Sequence, residues 1–229
     1  MPGTPMTRLL ALCVLAAGLA GLAATLFIRT PAETGQGPAM ILQADSAEVD
    51  TSIVQEMALG AGDAPVEVIE YASFTCIHCA NFHADVFPRI KENYVETGDV
   101  RFVYREVYFG RDPRPALWPG LVARCGDGDR YFGIVDMVYD RRDEWLSQDS
   151  AQGMVGALRR IGKAAGLTDD QLDACFSDGE KAQAMYALSQ QNLAEDDIDA
   201  TPSFVIDGRK YANMSYADFA AILDEKLAR

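Results

Sequence analysis

The sequence predicts an α/β fold in which strands precede and follow a long helical block. Three observations support this prediction. A strand, a helix and a second strand succeed one another over residues 66–107, helix signals without a convincing strand fill residues 110–197, and a strand pair with a final helix lies within residues 198–229. The predicted order is therefore β, α, β, a helical block, then β, β, α.

Length and charge limit the classes of protein to which the chain can belong. Its 229 residues are enough for one medium domain with a buried core. The formal net charge is −14 at pH 7. Phosphate backbones repel an acidic protein, so we expect no nucleic acid partner.

Residues 1–29 are predicted to be a membrane anchor or a signal peptide. The uncharged run Leu9–Ile28 is flanked by arginines, and as a helix it would be about 30 Å long, the thickness of the hydrocarbon core of a bilayer. A signal peptide cleaved at Ala20 or Ala23 is the alternative. Because that cleavage would leave an apolar stretch on the new terminus, we favour an uncleaved anchor. Both interpretations export the rest of the chain.

Residues 30–62 are predicted to be a linker followed by a short leading helix. Prolines and glycines interrupt any periodic pattern in the first part. Val49, Ile53 and Met57 then recur at helical spacing, and the pattern ends at nearby glycines. We therefore expect the compact domain to begin near residue 63.

Residues 63–109 contain the predicted strand, helix and strand. Val66–Ala72 is rich in strand-forming residues, the chain turns helical after Thr75, and Val100–Val107 forms the second strand. Pro88 lies within the helical stretch and should kink or break it. Two strands joined by a helix are expected to be parallel, with a right-handed crossover.

Residues 110–197 are predicted to be helical throughout. Thr168 with Gln171, and Ser177 with Glu180, are each typical of a capping box at the start of a helix. An apolar stripe indicates the buried face of another helix: Met154, Val155, Leu158 and Ile161.

Residues 198–229 are predicted to form a hairpin and a helix. Phe204–Ile206 and Arg209–Tyr211 are the strands, and the Asp-Gly pair at 207–208 favours a type I′ turn between them. Ser215 then caps the final helix.

The motif Cys76-Ile77-His78-Cys79 joins the first strand to the helix, which is the position that a redox dithiol needs. Unpaired N–H groups and the helix dipole favour a negative charge on Cys76 and lower the pKa of its thiol. A protonated His78 would add a second cation. A stabilised thiolate stabilises the reduced form, so the disulfide becomes a stronger oxidant.

Cys125 and Cys175 both lie in the helical block, and we predict a structural disulfide between them. Closing this loop of 51 residues removes about 4 kcal/mol of unfolded-state entropy, whereas the short ring from Cys76 to Cys79 removes about 2 kcal/mol. The long bridge should therefore be structural and the short one labile. The alternative is a pair of free buried thiols.

A copper or zinc binding module is a second hypothesis, because Cys76, His78, Cys79 and His83 are all metal-ligand types. A structural zinc site is normally built from two distant ligand pairs, and the sequence has no second pair. We favour redox chemistry and predict no metal. For His83 alone, a packing or capping role is favoured over a catalytic one.

Two more features accompany the cysteine motif. Glu70 lies on the strand before it, as either a solvated side chain or a buried proton relay. Thr201-Pro202 directly precedes a strand, and the residues alone leave its peptide bond either cis or trans.

Taken together, "EYASFTCIHCANFH", the helical block and "ATPSFVIDG" resemble the DsbA family of exported thiol:disulfide oxidoreductases, in the variant with a second cysteine pair. The resemblance covers about Asp63–Arg229. It implies a thioredoxin-like fold with an inserted all-helical domain at 110–197.

The resemblance also implies a role for each residue of the motif. Cys76 would be the exposed reactive sulfur, Cys79 its buried partner and His78 the residue that stabilises the thiolate. Glu70 matches the acid that the wider thioredoxin fold places beneath the buried cysteine, which favours the relay.

Thr201 and Pro202 would form the cis-proline loop that binds an extended substrate strand, together with Ile77. The family commonly has proline where this chain has Ile77. Residues between the cysteines tune the reduction potential, so the resemblance implies an oxidant without defining its strength.

The predicted function is the introduction of disulfide bonds into periplasmic proteins, with no cofactor bound to this chain. Implied partners are reduced or unfolded exported proteins and a membrane quinone oxidoreductase resembling DsbB. The predicted location is the periplasm, with residues 9–28 as a tether to the inner membrane, or a soluble periplasmic form after cleavage. The alternative is a disulfide reductase or isomerase kept reduced by another carrier.

Overall fold

The computed structural model describes residues 49–126 and 128–228, and these residues contain a five-stranded sheet. Its order is β1-β3-β2-β4-β5. Strands β2 and β3 are parallel and the other neighbouring pairs are antiparallel, which confirms the predicted parallel pair and hairpin. The strands are β1 (Met57–Leu59), β2 (Val66–Ala72), β3 (Val100–Glu106), β4 (Ser203–Ile206) and β5 (Arg209–Ala212).

Strand β2 lies at the centre of the sheet because its side chains are buried on both faces. Only Glu67 among its residues is exposed. Phe82 and Phe219 belong to the core on one face, and Leu193 and Ile198 belong to the core on the other. Burial on both faces is typical of a strand paired in parallel. The Cys76–Cys79 motif therefore follows the central, buried strand of the sheet.

Helix α1 (Ile77–Asp85) follows this strand, and it ends at Val86 before helix α2 (Phe87–Ile90) and a π-helical turn, Lys91–Val95. Pro88 lies in the first turn of α2, where its missing N–H group removes no helical hydrogen bond. The predicted break at this proline is confirmed.

The described residues of 110–197 form helices and no strand, as predicted. Within the apolar stripe, Met154, Leu158 and Ile161 are buried and Val155 is half-buried. The helices are α3 (Arg114–Ala123), α4 (Tyr131–Asp140), α5 (Arg142–Leu146), α6 (Ala151–Ala164), α7 (Asp169–Ser177) and α8 (Gly179–Glu195).

One of the two predicted capping boxes is present. The Thr168 hydroxyl accepts a hydrogen bond from the Gln171 backbone N–H at 3.2 Å, and the Gln171 side chain accepts one from the Thr168 N–H at 2.9 Å. The box predicted at Ser177 is wrong, because Asp178 caps α8 through a bond of 2.9 Å from the Lys181 N–H. Ser177 instead ends α7 and donates to the carbonyl oxygen of Asp173 at 2.7 Å.

A buried ion pair joins the helical block to the sheet. Arg124, after α3, donates to both carboxylate oxygens of Glu106, at 2.6 and 2.7 Å. The Tyr131 hydroxyl on α4 donates to the same carboxylate at 2.7 Å. Because Glu106 ends β3, the network holds α3 and α4 against the strand next to the reactive motif. Removal of one partner from a buried pair costs about 3–5 kcal/mol.

The predicted leading helix is wrong. Thr51–Ile53 form one 3-10 turn, and β1 then pairs antiparallel with β3, Met57 opposite Tyr104. Val49 and Ile53, two members of the predicted stripe, are 39% and 44% exposed, so no core face was available to stabilise a helix. Gly60, at φ 91°, turns the chain where a Cβ atom would collide with the carbonyl oxygen of Val100. The sheet therefore begins before residue 63.

The C-terminal part agrees with its prediction. Asp207 and Gly208 have φ angles of 45° and 77°, as a type I′ turn requires. Ser215 caps the final helix, α9 (Tyr216–Lys226), and accepts a hydrogen bond from the Asp218 N–H at 3.2 Å. Phe219 on this helix is fully buried.

In the part of the chain that the structure describes, no helix is long and apolar enough to cross a membrane. The predicted anchor at residues 9–28 and the linker up to residue 48 lie outside that part.

Candidate redox site

Cys76 and Cys79 lie where the chain leaves the sheet and enters α1. Cys76 is the N-cap residue of α1, with φ −81° and ψ 122°, and its side chain is half-buried. Cys79 lies in the first turn and has no exposed surface. Both thiols are free, so the structure describes the reduced form of the pair.

The surroundings of Cys76 favour its thiolate. The largest influence is a hydrogen bond from the Cys79 side chain, which lowers the pKa of Cys76, while partial burial opposes it. Hydrogen bonds from the Thr201 side chain and from the backbone N–H groups of Cys79 and His78 lower the pKa further, to about 5. An ordinary cysteine has a pKa of about 8.5, so Cys76 is an anion at neutral pH.

The surroundings of Cys79 have the opposite effect. Burial raises the pKa of Cys79 far above its ordinary value, and the hydrogen bond to Cys76 and the negative charge of Glu70 raise it further. Neighbouring sulfurs in one motif therefore differ in protonation. Cys76 is suited to nucleophilic attack and to leave as an anion, whereas Cys79 is a stable proton donor.

The structure brings Thr201 and Pro202 to Cys76 from the far end of the chain. Sγ of Cys76 lies 3.3 Å from the carbonyl oxygen of Thr201, to which the thiol donates when it is protonated. The Thr201-Pro202 peptide bond is cis. Because β4 is antiparallel to β2, the loop before β4 lies at the end of the sheet where β2 finishes.

The two residues between the cysteines face solvent. The Ile77 side chain is 48% exposed, and His78 is also exposed. The hydrogen bond that links His78 to the Cys76 sulfur comes from its backbone N–H. This contact does not require an imidazole, so the predicted role of the His78 side chain stays a prediction.

Glu70 and His83 meet beneath the motif. Glu70 is on β2 with no exposed surface, and His83 on α1 is 6% exposed. His83 Nε2 and Glu70 Oε2 are 3.0 Å apart. Burial would lower the pKa of His83, but the charges of Glu70 and Asp136 outweigh it and raise that pKa to about 9. The side chain also packs, since its ring stacks on Tyr139 with centroids 4.5 Å apart.

The sequence did not reveal the residues that the helical block contributes. Arg142 donates to the carbonyl oxygen of Thr75 at 2.6 and 3.2 Å, directly before Cys76. Asp136 and Tyr139 lie beside His83. None of these three residues belongs to a local motif. Each contacts a residue more than 50 positions away in the sequence, so no local pattern could have indicated it.

Cys125 and Cys175 form a disulfide with Cα atoms 5.8 Å apart, as predicted. It joins the turn after α3 to α7, and Cys76 and Cys79 are unpaired. The described residues contain no group of three or more histidine, cysteine or acidic side chains placed to hold a metal ion.

Comparisons with known proteins agree with this architecture. A family model described as thioredoxin matches residues 52–225. A protein of Rickettsia bellii (strain RML369-C), whose name proposes a protein-disulfide oxidoreductase, is 28% identical over 173 residues. The match covers 75% of this chain and 64% of the relative, so the chain spans less than two thirds of that relative's length. Disulfide bond formation protein D of Bacillus subtilis (strain 168) is 27% identical over 117 residues, which are 51% of this chain and 53% of that protein.

A crystal structure of Wolbachia pipientis alpha-DsbA1 has the same fold, with a TM-score of 0.67 and 25% identity. The structural match covers 78% of this chain and 96% of the Wolbachia chain. The fold is therefore the predicted one, a thioredoxin-like sheet with an all-helical insertion. The chain belongs to the thioredoxin family, and it is similar in sequence and fold to a DsbA protein and to a protein named for disulfide oxidoreduction.

Proposed function

We propose that the chain oxidises dithiols in exported proteins through the Cys76–Cys79 pair. The observation that carries this proposal is the opposite shift of the two thiol pKa values. An anionic Cys76 stabilises the reduced pair, and a stabilised reduced form makes the disulfide a strong oxidant. The related disulfide bond formation protein D supports the same direction by its name.

The reaction begins with the oxidised pair. A client thiolate attacks Cys76 Sγ, the bond between the two cysteines breaks, and its electron pair stays on Cys79 Sγ, which takes a proton. A second client thiolate then attacks the client sulfur of the mixed disulfide, and Cys76 leaves as a thiolate. Two electrons have moved from the client to the pair, and the client holds a new disulfide.

The remaining site residues are proposed to support these steps. Glu70, beneath Cys79, would supply the proton that Cys79 takes up. His78 would add positive charge near the Cys76 thiolate when protonated. Thr201 and Pro202 would bind an extended client segment through main-chain groups beside Cys76, an assignment that the contact between the Thr201 carbonyl oxygen and the Cys76 sulfur supports.

The location and the partners are part of the same proposal. Residues 1–29 would export the chain to the periplasm, where residues 9–28 would tether it to the inner membrane or be removed by cleavage. Reduced exported proteins would be its clients. A membrane quinone oxidoreductase resembling DsbB would re-oxidise the pair, so the chain itself would need no cofactor.

Two measurements on the purified protein test the function. Acid titration of the thiolate absorbance near 240 nm should give a pKa near 5 for Cys76, and the Cys76→Ser variant should lack this transition. Equilibration with glutathione buffers should give a potential well above the roughly −270 mV of thioredoxin. A Cys76 pKa near 8.5 would rule out the oxidase. A low pKa together with a thioredoxin-like potential would indicate the reductase alternative, which is open because Ile77 stands where the family commonly has proline.

A further inference from the structure

The burial of Cys79 raises a question about its proton. Each oxidation of a client leaves a proton on Cys79, and each re-oxidation of the pair must remove it. Cys79 has no exposed surface, however, and the sulfur to which it is hydrogen-bonded, that of Cys76, is joined to the client when the proton is taken up. The proton therefore needs a path through the protein, and the groups around Glu70 decide where that path runs.

The two carboxylate oxygens of Glu70 have different surroundings. Its Oε2 pairs with His83, and its Oε1 is buried without a hydrogen-bond partner among the described residues. The negative charge of Glu70 acts on Cys79 strongly enough to raise the pKa of that thiol. The carboxylate thus lies within electrostatic reach of Cys79 while bonded to His83.

The second nitrogen of His83 faces the opposite direction. Nδ1 is buried and has no hydrogen-bond partner within the described part of the chain. It lies 3.9 Å from Asp136 Oδ1, and the Asp136 side chain is 54% exposed. A separation of 3.9 Å is too long for a direct hydrogen bond and is compatible with a bridging water.

A cleft of about 290 Å³ opens at this point. Its walls include His83, Lys91, Asp136 and Asp140. They include neither cysteine of the motif and neither residue of the cis-proline loop. Water can therefore reach His83 without passing the surface where a client would bind.

The other side chains that surround His83 cannot carry the proton in its place. Tyr139 stacks on the ring, Tyr104 contacts its edge and Phe87 packs beside it. Burial raises the pKa of both tyrosines well above their ordinary value, so they stay neutral, and their hydroxyl groups bond to each other at 2.7 Å. Lys91, in the cleft, pairs with Glu96 at 3.7 Å.

We infer that His83 is a positioning residue that connects Glu70 to solvent, so that the proton of Cys79 enters and leaves through the Asp136 cleft. This inference rests on the proposed oxidase and extends it. When a client thiolate breaks the Cys76–Cys79 bond, the electron pair stays on Cys79 and the Glu70–His83 pair gives it a proton. The proton that reaches Cys79 comes from Glu70 while neutral His83 keeps its hydrogen on Nε2, so Nδ1 takes up a proton from water in the cleft. On re-oxidation Cys79 returns its proton to Glu70, and Nδ1 releases its own to that water.

The test is the pre-steady-state rate at which dithiothreitol reduces the oxidised full-length protein, measured from pH 5 to pH 10. We expect His83→Gln to slow this step at pH 7 by about 10²-fold, the lower end of general acid catalysis, and to remove a transition near pH 9. Asp136→Asn should slow it by a smaller factor. Asp140→Asn, in the same cleft, should not change it.

Two controls keep the test decisive. Cys76 titration near 240 nm should be the same in His83→Gln and in the wild type, because His83 does not contact that sulfur; this result separates a failed path from a failed oxidase. If His83→Gln does not fold, His83→Ala with added imidazole replaces it, and rescue of the rate by imidazole is expected. A wild-type rate and pH profile in the His83 variant, or equal slowing by Asp136→Asn and Asp140→Asn, would overturn the inference.

Discussion

Cys76 and Cys79 show how far position separates two identical side chains. Cys76 receives hydrogen bonds from Cys79, Thr201 and two backbone N–H groups, and its pKa falls to about 5. Cys79 is surrounded by apolar groups and a nearby carboxylate, and its pKa rises. The Cys79 thiol is itself the largest influence on Cys76, so the acidity of the first sulfur depends on the protonation of the second.

A pair of variants at position 79 tests this dependence. Cys79→Ala removes the donor and should raise the pKa of Cys76 by about one unit or more. Cys79→Ser keeps a hydroxyl donor and should leave the pKa closer to 5. The pH dependence of alkylation by iodoacetamide measures both values. Equal pKa values in the two variants would show that a donor at position 79 does not stabilise the thiolate.

At the scale of elements, the ion pair between Glu70 and His83 joins β2 to α1. The sequence placed Glu70 on the strand and predicted a packing or capping role for His83. It did not indicate that the two side chains meet, because their contact depends on how α1 lies over the sheet. His83 does pack, against Tyr139 and Phe87, and it also carries the partner charge of a buried carboxylate.

This pair makes the stability of the protein depend on pH in a definite direction. The pKa of His83 is raised from about 6.5 in the unfolded chain to about 9 in the folded protein. The folded protein therefore holds the His83 proton more tightly than the unfolded chain does. The stabilisation that this proton gives is complete below pH 6.5 and disappears as the pH rises through 9. We expect the free energy of unfolding in urea to fall between pH 6.5 and pH 9.5.

The matched variant for this measurement is His83→Phe, which keeps an aromatic ring against Tyr139. It should lose about 3 kcal/mol at pH 6, because Glu70 is left buried without its partner. Between pH 6.5 and pH 9.5 its stability should change less than that of the wild type. An equal decrease in both proteins would assign the effect to other groups.

At the scale of the whole molecule, the helical block both stabilises the domain and completes the site. The Glu106–Arg124 pair and Tyr131 hold it against β3. Arg142 then binds the carbonyl oxygen of Thr75, one residue before Cys76. The insertion therefore supports the backbone from which the reactive sulfur projects.

The Cys125–Cys175 disulfide belongs to this scale because it closes a long loop within the block. Its replacement by two alanines should lower the free energy of unfolding by about 4 kcal/mol, through greater entropy of the unfolded chain. The pKa of Cys76 should stay near 5, since no group that contacts it has changed. Urea unfolding and absorbance titration check these two results, and a shifted Cys76 pKa would show that the bridge also shapes the site.

The strands, their parallel pairing, the helical block and the reactive motif could be read from the sequence, because each depends on neighbouring residues: periodic apolar positions, turn residues and two cysteines one helical turn apart. The short strand β1 could not, because three residues carry too little pattern and their pairing with β3 alone makes them a strand. The contacts of Thr201 with Cys76, of Glu70 with His83 and of Arg142 with Thr75 join distant positions. Only the tertiary structure decides these contacts, since packing against the common core sets the distances between elements that no local propensity encodes.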